Sequence, residues 1–201
     1  MKKGLFLLLV LAISCFSFIY GDLVSTKISS RVTMDIHKDL NLIPISAATR
    51  QGETTAPMAV YESANQEARL VARLIKEYSD TTLKAKFKNP YAKKANSEKD
   101  LDLERQFRKG ALFSQFSSVD LIQDEVKNIK GVDFIVFEYV GTLNGVNSLG
   151  EETTSKTYIY HQLTFIKGRN YIFNFNCPES EKATWQEPIN AMMNSVKIKK
   201  K

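Results

Sequence analysis

Four runs near the end of the chain constrain its fold most: residues 119–129 (VDLIQDEVKNI), 132–143 (VDFIVFEYVGTL), 156–166 (KTYIYHQLTFI) and 169–177 (RNYIFNFNC). Each is rich in β-branched and aromatic residues, which suit a pleated, half-buried surface. Lys130-Gly131 separates the first two and Lys167-Gly168 the last two. A two-residue joint ending in glycine is a tight-hairpin signal, because such turns need positive φ. The runs therefore predict a four-strand antiparallel meander. Between the middle pair lies NGVNSLGEETTS, residues 144–155, whose polarity predicts an exposed loop.

Upstream, STKISSRVTMDI holds Ile28, Val32, Met34 and Ile36 at a rough two-residue period. MAVYES and ARLVARLIKEY follow, with Leu70, Ala72 and Leu74 on one face. In TTLKAKFK, Leu83, Ala85 and Phe87 alternate with Lys84, Lys86 and Lys88, the pattern of a half-buried strand with a lysine-coated outer face. A helix is expected to open at Ser97, a capping residue, and to turn a stripe of Leu103, Phe107 and Ala111 toward the sheet.

The end of the last strand decides whether the chain has a reactive centre. Tyr171, Phe173, Phe175 and Cys177 share one strand face, so the thiol continues an aromatic inward row, and Pro178 stops the ladder. Trp185, Ile189, Met192 and Val196 then recur at helical spacing. Proline is tolerated in a helix's first turn. Pro188 therefore predicts a helix from about Glu187, with Trp185 in a preceding turn. Cys177, lacking a cationic neighbour in this pattern, is expected to be a buried joint rather than a nucleophile.

At the other end, residues 1–21 have the layout of a secretory signal: Lys2 and Lys3, an apolar run from Leu5 to Ile13, then small and aromatic residues to Gly21. Cleavage near Gly21, lipidation at Cys15 and retention as an uncleaved anchor are the three outcomes. The expectation is export to a periplasmic or extracellular space, with membrane association only through a lipidated Cys15 or a retained signal. Residues 22–201 read as one domain, long enough to bury a core without a disulfide. Without Lys2 and Lys3, 26 basic side chains face 22 acidic ones.

Strands, a helix, a meander and a closing helix ending in NSVKI form an order that resembles the PsbP-like fold. The residues carrying the resemblance are FEYVGT, KTYIYHQLTFIKGRNYIFNFNCPES and WQEPINAMMNSVKI. That family is named for an extrinsic photosystem II subunit and includes a Ran-binding nuclear import factor and many exported bacterial proteins. The resemblance covers residues 25–198. It implies an α+β fold, a single antiparallel sheet flanked by helices as an α/β/α sandwich, and a role in interaction or assembly without catalytic groups.

Other chemistry finds little support in the residues. His37 and His161 lie on separate segments, and no zinc-type spacing or phosphate-binding glycine loop occurs. No metal or cofactor is therefore expected. His161, alternating with Ile159, Leu163 and Phe165, reads as a hydrogen-bonded core histidine. Acidic pairs such as Asp133 and Glu138, Glu151 and Glu152, or Asp120 and Asp124-Glu125 read as solvated surface. The basic stretch with Lys84, Lys86, Lys88, Tyr91, Lys93 and Lys94 is the candidate partner surface, together with residues 144–155. An unknown protein or an anionic envelope component suits it better than nucleic acid, which an exported protein seldom meets. The expected function is a non-catalytic envelope binding or assembly module. The alternative is an envelope hydrolase or transferase using His161 or Cys177 with a carboxylate.

Overall fold

The computed structural model describes residues 22–45, 56–76, 98–146 and 148–199. Ten strands and two α-helices are described: β1 (Leu23–Lys27), β2 (Val32–His37), β3 (Leu40–Ile43), β4 (Ala59–Ser63), β5 (Arg69–Lys76), α1 (Glu98–Phe113), β6 (Ser118–Ile129), β7 (Val132–Val146), β8 (Glu152–Phe165), β9 (Arg169–Pro178), α2 (Lys182–Ser195) and β10 (Lys197–Ile198). The signal-like residues 1–21, the alternating TTLKAKFK, the cap at Ser97 and the basic cluster Lys84, Lys86, Lys88, Tyr91, Lys93 and Lys94 lie outside the described residues.

The expected meander is present. β6, β7, β8 and β9 pair in sequence order, every pair antiparallel. Lys130 and Gly131 have φ of 51° and 77°, and Lys167 and Gly168 have 51° and 68°. Positive φ at both central residues is the geometry whose twist matches a two-residue hairpin. β5 joins the free edge of β9, and β4 and β3 follow, giving a seven-stranded sheet in the order β3-β4-β5-β9-β8-β7-β6.

The single sheet is corrected to two. β1, β2 and β10 form a separate three-stranded sheet in the order β1-β2-β10. The period of Val32, Met34 and Ile36 is real, since all three are buried, but it faces α2 from outside the main sheet. Asp35 donates its backbone N–H to Ser195 Oγ at 2.7 Å, and the His37 N–H points to Met192 Sδ at 3.2 Å. The expected sandwich changes accordingly. α1 covers one face of the large sheet, and α2 together with the small sheet covers the other.

Two cores result. Toward α2, Phe134, Val136, Tyr158, Tyr160, Phe173 and Phe175 of the sheet meet Trp185, Ile189 and Met192. Toward α1, Ile135, Phe137, Tyr139 and Leu163 meet Leu101, Leu112, Phe113 and Phe116. This two-sided cover explains why β7 reads as a nearly unbroken apolar run.

Both helices depart from their sequence reading. α2 begins at Lys182, so Pro188 sits inside it and Trp185 is a helical residue. An interior proline removes one backbone bond at a cost of about 3 kcal/mol. Burial of Trp185, which is 6 % exposed and packed on Phe175 at 5.6 Å between ring centroids, offsets that cost. α1 turns the opposite way from its apolar stripe. Leu103 and Phe107 are 51 % and 73 % exposed. Inward instead point Arg105 and Lys109, which bond the two carboxylate oxygens of Asp124 on β6 at 2.5 and 2.7 Å.

Candidate functional site

The groups that could do chemistry are held inside the body. Cys177 is 1 % exposed at the end of the inward row. Burial, with a smaller contribution from the Glu181 charge, pushes its thiol up to about 12. A thiolate is correspondingly scarce at neutral pH.

His161 lies on the opposite face of the sheet, among Ile159, Leu163 and Phe165 on β8. Its Nδ1 is 3.2 Å from Asn174 Oδ1, and its ring stacks on Phe137 at 6.4 Å. Burial, opposed by the Asn174 bond and aided by the Arg108 charge, lowers its pKa to about 4. It is a neutral, bonded histidine, as the alternation predicts, and the sheet separates it from Cys177.

Glu138 departs from its sequence reading. It is 3 % exposed, not solvated. Its position two residues from Val136 and Val140 in FIVFEYV places it on the α2 face, and that spacing was the available signal. Its Oε1 accepts from the Tyr158 hydroxyl at 2.9 Å and from Gln186 Nε2 of α2 at 2.7 Å. Burial and then the Glu138 charge raise the pKa of Tyr158 above the ordinary tyrosine range, and the same causes raise Tyr160. The carboxylate thus ties the first turns of α2 to the sheet centre. Asp133, its possible partner in an acid/base pair, occupies the other strand parity and accepts from Asn128 on the surface. Asp124 is committed to Arg105 and Lys109. Among the described residues no group of three His, Cys, Asp or Glu side chains is placed to hold a metal ion.

Exposed apolar side chains also stand at one end of β7 and β8, apart from Leu103 and Phe107 of α1. Pairing of β6 with β7 ends at Ser118 with Thr142, and pairing of β8 with β9 ends at Thr157 with Pro178. β7 and β8 continue past both neighbours, from Leu143 with Ser155 to Val146 with Glu152. Most of the expected loop at 144–155 is therefore a two-stranded ribbon. Its backbone pairing could not be read from a polar sequence, but its exposure could. Leu143, Val146 and Leu149 are 44 %, 66 % and 80 % exposed. An open cleft of about 370 Å³ is lined by Asn144, Gly145, Val146, Glu152, Thr153 and Thr154.

Local contacts set the root of the ribbon. Phe116 packs on Tyr139 and lies over Gly141, where a Cβ would come within 2.5 Å of the ring. Ser117 donates its N–H to Thr142 O and accepts the Asn144 N–H at its Oγ. Beyond that point the described residues of both strands, 143–146 and 152–156, are all exposed. Among the described residues, no helix is long and apolar enough to cross a membrane.

The fold is similar to known structures. The solution structure of cyanobacterial PsbP (CyanoP) from Synechocystis sp. PCC 6803 superposes with a TM-score of 0.55 at 14 % identity, over 89 % of this chain and 93 % of that one. The Ran-binding protein Mog1p of Saccharomyces cerevisiae superposes with a TM-score of 0.51 at 11 % identity, over 88 % and 95 %. At such identities the likeness is one of fold, and it bears out the PsbP-like resemblance at that level. The sequence matches no protein-family model and no curated protein.

Proposed function

We propose that this protein is an exported, non-catalytic binding module that engages a protein partner through the β7–β8 ribbon and the basic stretch from Lys84 to Lys94. The observation carrying this reading is the ribbon itself, where Leu143 and Val146 are exposed on a strand that has outrun its neighbour and Leu149 is exposed in the turn that follows. Leu143 and Val146 differ in strand parity, so apolar side chains stand on both faces of the ribbon, and exposed apolar area at one end of a fold marks a contact surface. Mog1p, with a similar fold, is a Ran-binding protein, which makes protein binding a natural use of this architecture. The signal-like layout of residues 1–21 supports export, and with it a partner in the envelope or outside the cell.

Photo-crosslinking in the native host tests the reading. A photoreactive residue at Val146 or Leu149 is expected to give one discrete adduct, and the same residue at Lys167, in the β8–β9 turn, none. Equal labelling at all three sites, or a turnover abolished by Cys177→Ala or His161→Gln in a folded protein, overturns it.

A further inference from the structure

The outer end of β8 carries a strand edge whose sequence suits pairing with itself. Residues Glu152, Thr153, Thr154, Ser155 and Lys156 are paired with β7 on one side, but on the other β9 stops at Pro178, opposite Thr157. All five are exposed. Among the described residues no strand meets their backbone groups on the β9 side, so they form a template for one more. Pro178 cannot extend β9 across them, because it lacks the N–H that a ladder needs.

An antiparallel pair made by a strand and its own copy has a two-fold axis perpendicular to the sheet, so facing residues share a parity. Centred on Thr154, the pairing sets Thr154 against itself and Thr153 against Ser155. It also sets Glu152 against Lys156 of the second copy, and Lys156 against Glu152. The two charged positions are thus complementary in this register, and the three residues between them are hydroxylated. Opposite charges and threonine pairs stabilise facing positions of a sheet, and like charges destabilise them.

The turn after β7 suits this arrangement too. The second copy's chain leaves the edge at its Glu151, the position that would next meet Thr157 and Pro178. The long outer edge of β6 is less suitable, because a bulge between Leu121 and Gln123 interrupts its register.

Resting on the reading of the ribbon as the binding element, we propose that one of its partners is a second copy of this chain, paired through Glu152–Lys156 into a continuous β7-β8-β8-β7 ribbon. This leaves the outer edge of β7, with Leu143 and Val146, available to a different protein. A five-residue edge is well below a standard interface, so the dimer should be about micromolar or weaker.

Sedimentation of the full chain between about 10 µM and 1 mM, a range set by that expected weakness, tests the pairing. Wild type should pass from monomer to dimer across it. Glu152→Lys and Lys156→Glu should each weaken the dimer roughly tenfold, since each places two like-charged pairs across the axis. The double variant, with the charges exchanged, should return to within about threefold of wild type by the same pairing rule. Circular dichroism establishes that all four proteins are folded. Wild type that stays monomeric, a dimer indifferent to either reversal, or a folded double variant without recovery overturns the proposal. A monomeric wild type whose Leu149 crosslinker still captures another protein overturns self-pairing alone. Loss of that capture with dimerisation intact instead counts against the wider binding reading and supports the self-pairing.

Discussion

β7 and β8 are each two different strands along their length. From Val132 to Thr142, and from Tyr158 to Thr164, most residues are buried, because helices and neighbouring strands cover both faces and both edges. From Leu143 to Val146, and from Glu152 to Lys156, every residue is exposed. The backbone pairing between them runs through both parts without a break. The difference therefore lies in what surrounds the strands. It teaches that potentially reactive groups at the inner end are spent on structure: Glu138 on Tyr158 and Gln186, His161 on Asn174, and Cys177 on the core. Along these two strands, exposure begins where the neighbours stop.

The contrast breaks most severely at the inner end. Trp185→Ala should cost about 3 to 5 kcal/mol in urea melts, because a large aromatic truncation leaves a cavity as well as losing transfer energy. A cost under about 1 kcal/mol would put Trp185 outside the working core, since losses that small belong to surface positions.

At the boundary, Gly141→Val should cost about 1 to 3 kcal/mol, as overpacking does when an added side chain has no space. Phe116 lies where that side chain must go, and both Phe116 and the start of β6 should show the displacement by NMR. A neutral result would mean that the root of the ribbon is loose.

A smaller effect appears with pH. The folded pKa of His161, about 4, is below its ordinary value of 6.5, so the folded state binds fewer protons than the unfolded state between those values. Its contribution is fully present above about pH 6.5, falls as pH drops through that window, and is gone below about 4. For a partly exposed ring the change should be on the order of 1 kcal/mol. His161→Gln should flatten this portion of the stability profile. An unchanged slope would place its origin elsewhere.

Smallest of all, Leu149→Ser should change stability by less than about 0.5 kcal/mol, as expected for an exposed site, yet reduce partner crosslinking from Val146. That split between stability and binding sharpens the comparison most at the outer end.

The sequence was informative where local chemistry decides structure. Lys130-Gly131 and Lys167-Gly168 announce their turns, the alternation in YIFNFNC buries Cys177, and the spacing from Trp185 to Val196 gives the buried face of α2. It was misleading where distant partners decide. Leu103, Phe107 and Ala111 make the more regular apolar stripe on α1, but Asp124, on a later strand, draws Arg105 and Lys109 inward and rotates that stripe to the surface. Glu138 looks like a surface acid until Tyr158 and Gln186 are brought to it. No local pattern tells that β10 closes a second sheet beside β2, because that pairing joins residues 197–198 to 32–33.

Replacing residues 144–154 by a two-residue Asn-Gly turn between Leu143 and Ser155, which face each other in the ladder, tests the central claim most directly. The variant should unfold within about 1 kcal/mol of the parent, as expected when the described residues removed are all exposed. It should also fail to retain the protein that wild type crosslinks from Leu149. Full retention of that partner by the shortened, folded protein would contradict the assignment of binding to the ribbon.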